Sequence, residues 1–161
     1  MSDIGTMPIL TRRRIEAAFA QGIYEEMAAE LGAEAARRIL SAAVVKMARA
    51  TAAEMAKSAT GGTPDLDNFR AIQSLWTAED ALRIEVVEST PDRFDFNVVK
   101  CRYAETYKEM GLAELGAVLS CNRDGAFCEG YDPKLKLTRT QTIMGGASHC
   151  DFRYRREVSG T

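Results

Sequence analysis

The chain has 161 residues, of which 46% are hydrophobic and 27% charged, enough for one core of ordinary globular composition. Its 21 basic side chains against 23 acidic ones leave a net charge of -2, which argues against a nucleic-acid binder working through a broad positive surface. No apolar run approaches the ~20 residues of a membrane helix, and the opening MSDIGTMPIL lacks the basic and apolar regions of a secretory signal, so a cytoplasmic protein with no membrane partner is expected. In that compartment Cys101, Cys121, Cys128 and Cys150 are expected as thiols or ligands rather than disulfides, and their spacing matches no Cys-x-x-Cys zinc pattern.

A first helix is predicted over Thr11–Leu31, with Thr11 as N-cap. Its apolar face is Ile15, Phe19, Ile23, Met27 and Leu31, and Gly32 ends it. Arg12, Arg13 and Arg14 read as a solvated helix start. A second helix is predicted from Glu34 to Ser58, buried along Ala36, Leu40, Ala43, Met47 and Ala50. Its alanines permit close approach, so the two helices form an antiparallel hairpin over residues 1–60, through which a homo-oligomer is expected. The remainder, 61–161, supplies a sheet and a pocket within the same single domain.

Thr60-Gly61-Gly62-Thr63-Pro64 carries turn chemistry. A short helical piece follows through Phe69, Ile72 and Trp76, with the tryptophan capping the core. Leu82, Ile84 and Val86, then Phe94, Phe96 and Val98, alternate with polar residues and predict a β-hairpin with one wet face. Cys101–Met110 reads as a helix stopped by Gly111. In Leu112–Gly130, Leu112, Leu115, Leu119 and Ala126 share one helix face, and Cys121, Asp124 and Cys128 share another, unless Gly125 breaks the helix.

After Pro133, Leu135, Leu137, Arg139, Gln141 and Ile143 alternate with polar residues. This sets Arg139 and Gln141 on a buried face, where an unpaired arginine costs several kcal/mol. An arginine fork there is a natural receptor for a carboxylate of the protein or of a ligand. In the last strand Cys150, Phe152 and Tyr154 alternate with His149, Asp151 and Arg153. One register groups Arg139 and Gln141 with Cys150, Phe152 and Tyr154; a one-residue shift groups them with His149, Asp151 and Arg153. The Gly145-Gly146 turn between the strands is expected to twist their ends together.

The candidate catalytic groups are Cys150 or Cys121 as nucleophile, His149 as proton shuttle, and Asp151 or Asp124 to orient the base or activate water. Arg139, Thr140, Gln141 and Arg153 are candidate substrate ligands. A metal-free site is expected. The alternative is zinc held by Cys121, Asp124, Cys128 and Cys150 or His149.

The motifs Cys101-Arg102-Tyr103-Ala104-Glu105, Gly111-Leu112-Ala113-Glu114-Leu115-Gly116, Ser120-Cys121-Asn122-Arg123-Asp124, Arg139-Thr140-Gln141-Thr142 and Cys150-Asp151-Phe152-Arg153-Tyr154, in this order, resemble the L-2-amino-thiazoline-4-carboxylic acid hydrolase family of bacteria. The resemblance is strong over about the last 60 residues and general in the helical half. It implies a ring-opening hydrolase acting on a C–N bond of a small cyclic amidine or amide that carries a carboxylate. The namesake activity opens a thiazoline ring to an N-carbamoyl amino acid. More distantly, the Gly-rich turn before Cys-x-Phe is similar to 4-vinyl reductase-type ligand-binding domains, which implies a pocket between sheet and helices and keeps a non-catalytic sensor or carrier open. The expected fold is α+β: the helical hairpin plus a four-stranded, mainly antiparallel sheet packed against helices.

Overall fold

The computed structural model describes residues 6–157. Two long helices, α1 (Ile9–Leu31) and α2 (Ala33–Lys57), open the chain, separated by Gly32 alone. Gly32 has φ 85°, a value that favours glycine, which is why the helical path breaks there. The N-cap position of α1 is Pro8 rather than Thr11, and no side chain caps it. Short helices α3 (Leu66–Ala71) and α4 (Ser74–Thr77) follow. Asp65 caps α3 by accepting a 2.8 Å hydrogen bond from the Asn68 N–H.

The sheet comprises β1 (Leu82–Ser89), β2 (Arg93–Cys101), β3 (Leu135–Thr138) and β4 (Cys150–Arg156), in the order β1-β2-β4-β3, with every pairing antiparallel. Between β2 and β3 lie α5 (Arg102–Glu109), α6 (Ala113–Gly116) and α7 (Asn122–Tyr131). This is the expected α+β architecture. Gly125 does not break its helix: α6 passes into α7 through one π turn, Ala117–Cys121.

The inner sheet face is apolar, with Phe94, Phe96, Val98, Cys150, Phe152 and Tyr154 all buried. Phe96 and Phe152 stack across the β2–β4 pair at 5.0 Å. Helix α2 buries Ala36, Leu40, Val44, Ala48 and Ala52, so the true stripe leaves the predicted one at Val44 and Met47 is half exposed. Helix α1 turns the opposite face inward: it buries Ile9, Arg13 and Ala17, two positions out of phase with the predicted stripe, while Ile15, Phe19, Ile23 and Leu31 face outward. Close packing of α7 on α2 depends on Gly130, where a Cβ would lie 2.6 Å from the Arg49 carbonyl oxygen and 2.8 Å from its Cα.

Candidate active site: a half-ionic cavity under the sheet

Strand parity decides which side chains meet. Leu137 pairs with Tyr154 and Thr138 with Arg153, after which β3 ends. Arg139, one step on, therefore lies on the inner side with Cys150, Phe152 and Tyr154, the first of the two registers. Its guanidinium stands 5.1 Å over the Phe152 ring. Gln141 has left the ladder, and its amide donates to the His149 carbonyl oxygen at 3.0 Å. The two rival groupings thus split, Arg139 going with one and Gln141 with the other. The connection closes in a 3-10 turn at Ile143–Gly145, where Thr142 Oγ1 accepts from the Gly145 N–H at 3.0 Å and Gly146 adopts φ 96°.

Beneath the inner face lies a cavity of about 450 Å³, within the usual range for small-molecule sites. Its apolar wall includes Phe69, Trp76, Phe96, Phe127 and Phe152. Trp76 therefore lines the cavity instead of only capping the core. Its polar wall is built by α7, the π turn and the start of α1: Cys121, Arg123 and Asp124, with Arg12, Arg13, Arg139 and Cys150. The π turn sits where the wall needs Ser120 and Cys121 as well as the Arg123–Asp124 pair, and such turns recur at functional sites.

Asp124 and Arg139 form an ion pair through Asp124 Oδ2 and Arg139 Nη1, and Arg139 Nη2 donates to the Cys121 carbonyl oxygen at 3.2 Å. Burial pushes the Asp124 carboxyl up, with Arg139 opposing the rise. Burial, reinforced by the Asp124 charge, pushes the Cys121 thiol up to about 12. Burial also pushes Cys101 up to about 11. Cys150 is raised by burial too, against the lowering effect of the Ile143 N–H, which donates to its Sγ at 3.2 Å. These thiols are held protonated, the opposite of an activated nucleophile.

The other predicted residues lie elsewhere. Asp151 accepts from the N–H groups of Thr140 and Gln141, each at 2.9 Å, and from Thr140 Oγ1 at 2.5 Å. Burial alone would raise it, but these bonds prevail and lower it to about 2. Asp151 and Thr140 thus clamp the chain as it leaves β3. Arg153 donates to the Phe96 carbonyl oxygen and Asn97 Oδ1, both at 2.9 Å, on the outer face. His149 has Ser148 Oγ 2.9 Å from its Nδ1. None of His149, Thr140, Gln141, Asp151 and Arg153 lines the cavity. Cys128 is fully buried with its Sγ 3.2 Å from the Leu135 carbonyl oxygen, apart from the cavity wall, so the four-ligand zinc set does not assemble. Among the described residues no three His, Cys, Asp or Glu side chains are placed to share a metal ion.

Three cavity residues were not among the predicted site residues: Arg12 and Arg13, expected as part of a solvated helix start, and Arg123. Arg13 is buried, contrary to the solvated start expected for the arginine run, and only Arg14 lies out, paired with Glu109. The signal was available: α1 has no acidic residue in its first turn, where a helix N-terminus favours one, and places cations there.

An antiparallel sheet closed by helices over a cavity walled by aromatics and by charged side chains defines an α+β domain with an internal cavity. Solved structures share the fold. The phenol-responsive sensory domain of the transcription activator PoxR, solved with phenol, matches at TM-score 0.55 and 16% identity, over 87% of this chain and 73% of that one. Subunit 3 of a trafficking protein particle complex from Naegleria fowleri, covalently bound to palmitic acid, matches at TM-score 0.52 and 11% identity, over 92% and 96%. At such identities the likeness concerns the fold. No curated protein matches. The family model for L-2-amino-thiazoline-4-carboxylic acid hydrolase matches residues 12–154, and the chain belongs to that family.

Proposed function

We propose that the chain is a hydrolase that opens the ring of a small heterocyclic acid by adding water to a cyclic amidine or amide carbon. The observation that carries this reading is the Asp124–Arg139 pair set in the cavity wall, a carboxylate made more basic by burial and held in place by a guanidinium. Deprotonated Asp124 accepts a proton from water as the water oxygen bonds to the ring carbon. Arg139 holds the carboxylate in position. The adduct then collapses, expelling a ring atom that takes up the proton from Asp124. With an aminothiazoline acid that yields an N-carbamoyl product, both C–N bonds at that carbon survive and C–S breaks. A hydantoin-like ring would break C–N. Water is preferred to Cys121 or Cys150 as nucleophile because both thiols are held protonated. No step calls for a metal or cofactor.

The test is mass spectrometry of 2-amino-thiazoline-4-carboxylic acid and of hydantoin-like acids incubated with the purified protein. A product heavier by one water, absent with Asp124→Asn, is expected. Tight reversible binding without any product would overturn the hydrolase and leave a sensor or carrier. That second reading is favoured by the aromatic wall and by the fold shared with a phenol-responsive sensory domain.

We further propose that copies of the chain associate through α1, whose Ile15, Phe19, Ile23 and Leu31 face outward in one stripe. Light scattering on a sizing column should show an oligomer for the native chain and a monomer for Phe19→Lys. A native monomer at high concentration would refute it.

A further inference from the structure

Arg12, Arg13 and Arg123 converge on a single carboxylate. Arg13 Nη1 lies 2.6 Å and Arg123 Nη2 3.2 Å from Glu16 Oε2, and Arg12 Nε stands 3.9 Å from Glu16 Oε1. Three guanidinium groups thus share one acid. All three line the cavity, whereas Glu16 does not. Arg12 Nε is buried without a hydrogen-bond partner. An unmatched buried donor costs free energy unless a partner arrives. The crowding has an electrostatic sign: burial and the neighbouring Arg13 charge both lower the Arg123 pKa. The uncapped, acid-free start of α1 adds the positive end of a helix dipole, and Met7 and Pro8 there line the same cavity. Arg123 also donates from Nε to the Leu119 carbonyl oxygen at 2.7 Å, which leaves its Nη1 without a protein partner among the described residues, whereas both Nη atoms of Arg139 are engaged, by Asp124 and by the Cys121 carbonyl.

We propose that Arg12, Arg13 and Arg123 form an anion seat that takes the carboxylate of the ligand, leaving Arg139 to hold Asp124. Its use in orienting a substrate rests on the hydrolase reading; the seat itself does not. Arg123 and Asp124 are consecutive in α7 and both line the cavity. A small acid seated on the arginines therefore has its ring within reach of Asp124. The seat selects a planar carboxylate over a neutral isostere, because guanidinium forks match its two oxygens.

The experiment uses thiophene-2-carboxylate and thiophene-2-carboxamide, flat rings of matched shape that do not hydrolyse, with binding read by the fluorescence of Trp76, which lines the cavity. The acid should bind more tightly than the amide by at least about tenfold. Arg12→Gln and Arg123→Gln should each remove most of that preference while leaving amide affinity within about twofold, and Arg12→Lys should restore part of it. Arg12 is the safer probe, because its side chain remains 33% accessible and Arg13 is buried. The seat is overturned if the acid fails to bind, if acid and amide bind alike, or if Arg139→Gln rather than Arg12→Gln abolishes the preference. Because neither probe turns over, a missing ring-opening activity leaves this result intact, and a missing preference leaves the hydrolase reading intact.

Discussion

The two faces of β4 carry equally reactive residue types and put them to different ends. On the inner side Cys150 lies at the cavity with Arg139, Asp124 and Cys121, where burial raises both the carboxyl and the thiols. On the outer side Asp151 and Arg153 are satisfied by the chain itself, Asp151 by Thr140 and Gln141, Arg153 by Phe96 and Asn97. An ionisable group whose partners are all local has no capacity left for a ligand. Chemical density along a strand is thus a poor guide to a site, because parity sends alternate residues to opposite faces.

The sharpest way to break this comparison is at the cavity wall. Asp124→Asn should lower turnover by at least about 100-fold while leaving ligand binding measurable, and the native pH profile should lose activity below an acid limb set above the ordinary carboxylate range. Next in size is a change to the scaffold behind that wall. Gly130→Ala should destabilise the fold by about 2–3 kcal/mol in urea titration, because the added methyl meets Arg49 backbone that no rotamer change can move. Asp151→Asn should cost about 1 kcal/mol without a matching loss of turnover. The sign follows from its depressed pKa: the stabilisation is present above the unfolded value near 3.8 and is lost as pH falls through about 2, so the variant should lose the acid dependence in that window. The smallest effect is expected from Cys121→Ala and Cys150→Ala, each keeping turnover within a few fold in initial-rate assays; abolished turnover would restore the thiol as nucleophile.

Much of the architecture was legible because local rules agree with the packing. Gly32 and Gly111 stop helices at positive φ, and alternation placed Phe94, Phe96 and Val98 inward. What failed did so for physical reasons. A fourth-residue apolar stripe in α1 looks like a core face, but the helix packs on the opposite side through Ile9, Arg13 and Ala17, which are spaced in the same way, so spacing alone could not choose between the two faces. Of the predicted site residues, Cys121, Asp124, Arg139 and Cys150 line the cavity, although strand parity alone left Arg139 between two registers. The end of β3 at Thr138 was not legible, and it is what sends Gln141 to His149. The arginines of α1 looked solvated because the one local cue, a first turn without an acidic residue, does not reveal that the helix start closes one end of the cavity.

The central claim is that reaction belongs to the inner side of β4 and its facing helix. It is tested most directly by comparing kcat/KM for ring opening in Asp124→Asn and His149→Gln, with circular dichroism confirming that both fold. The account predicts that the first loses at least about 100-fold and the second stays within about threefold. The reverse pattern, activity surviving at Asp124→Asn and vanishing at His149→Gln, would contradict it.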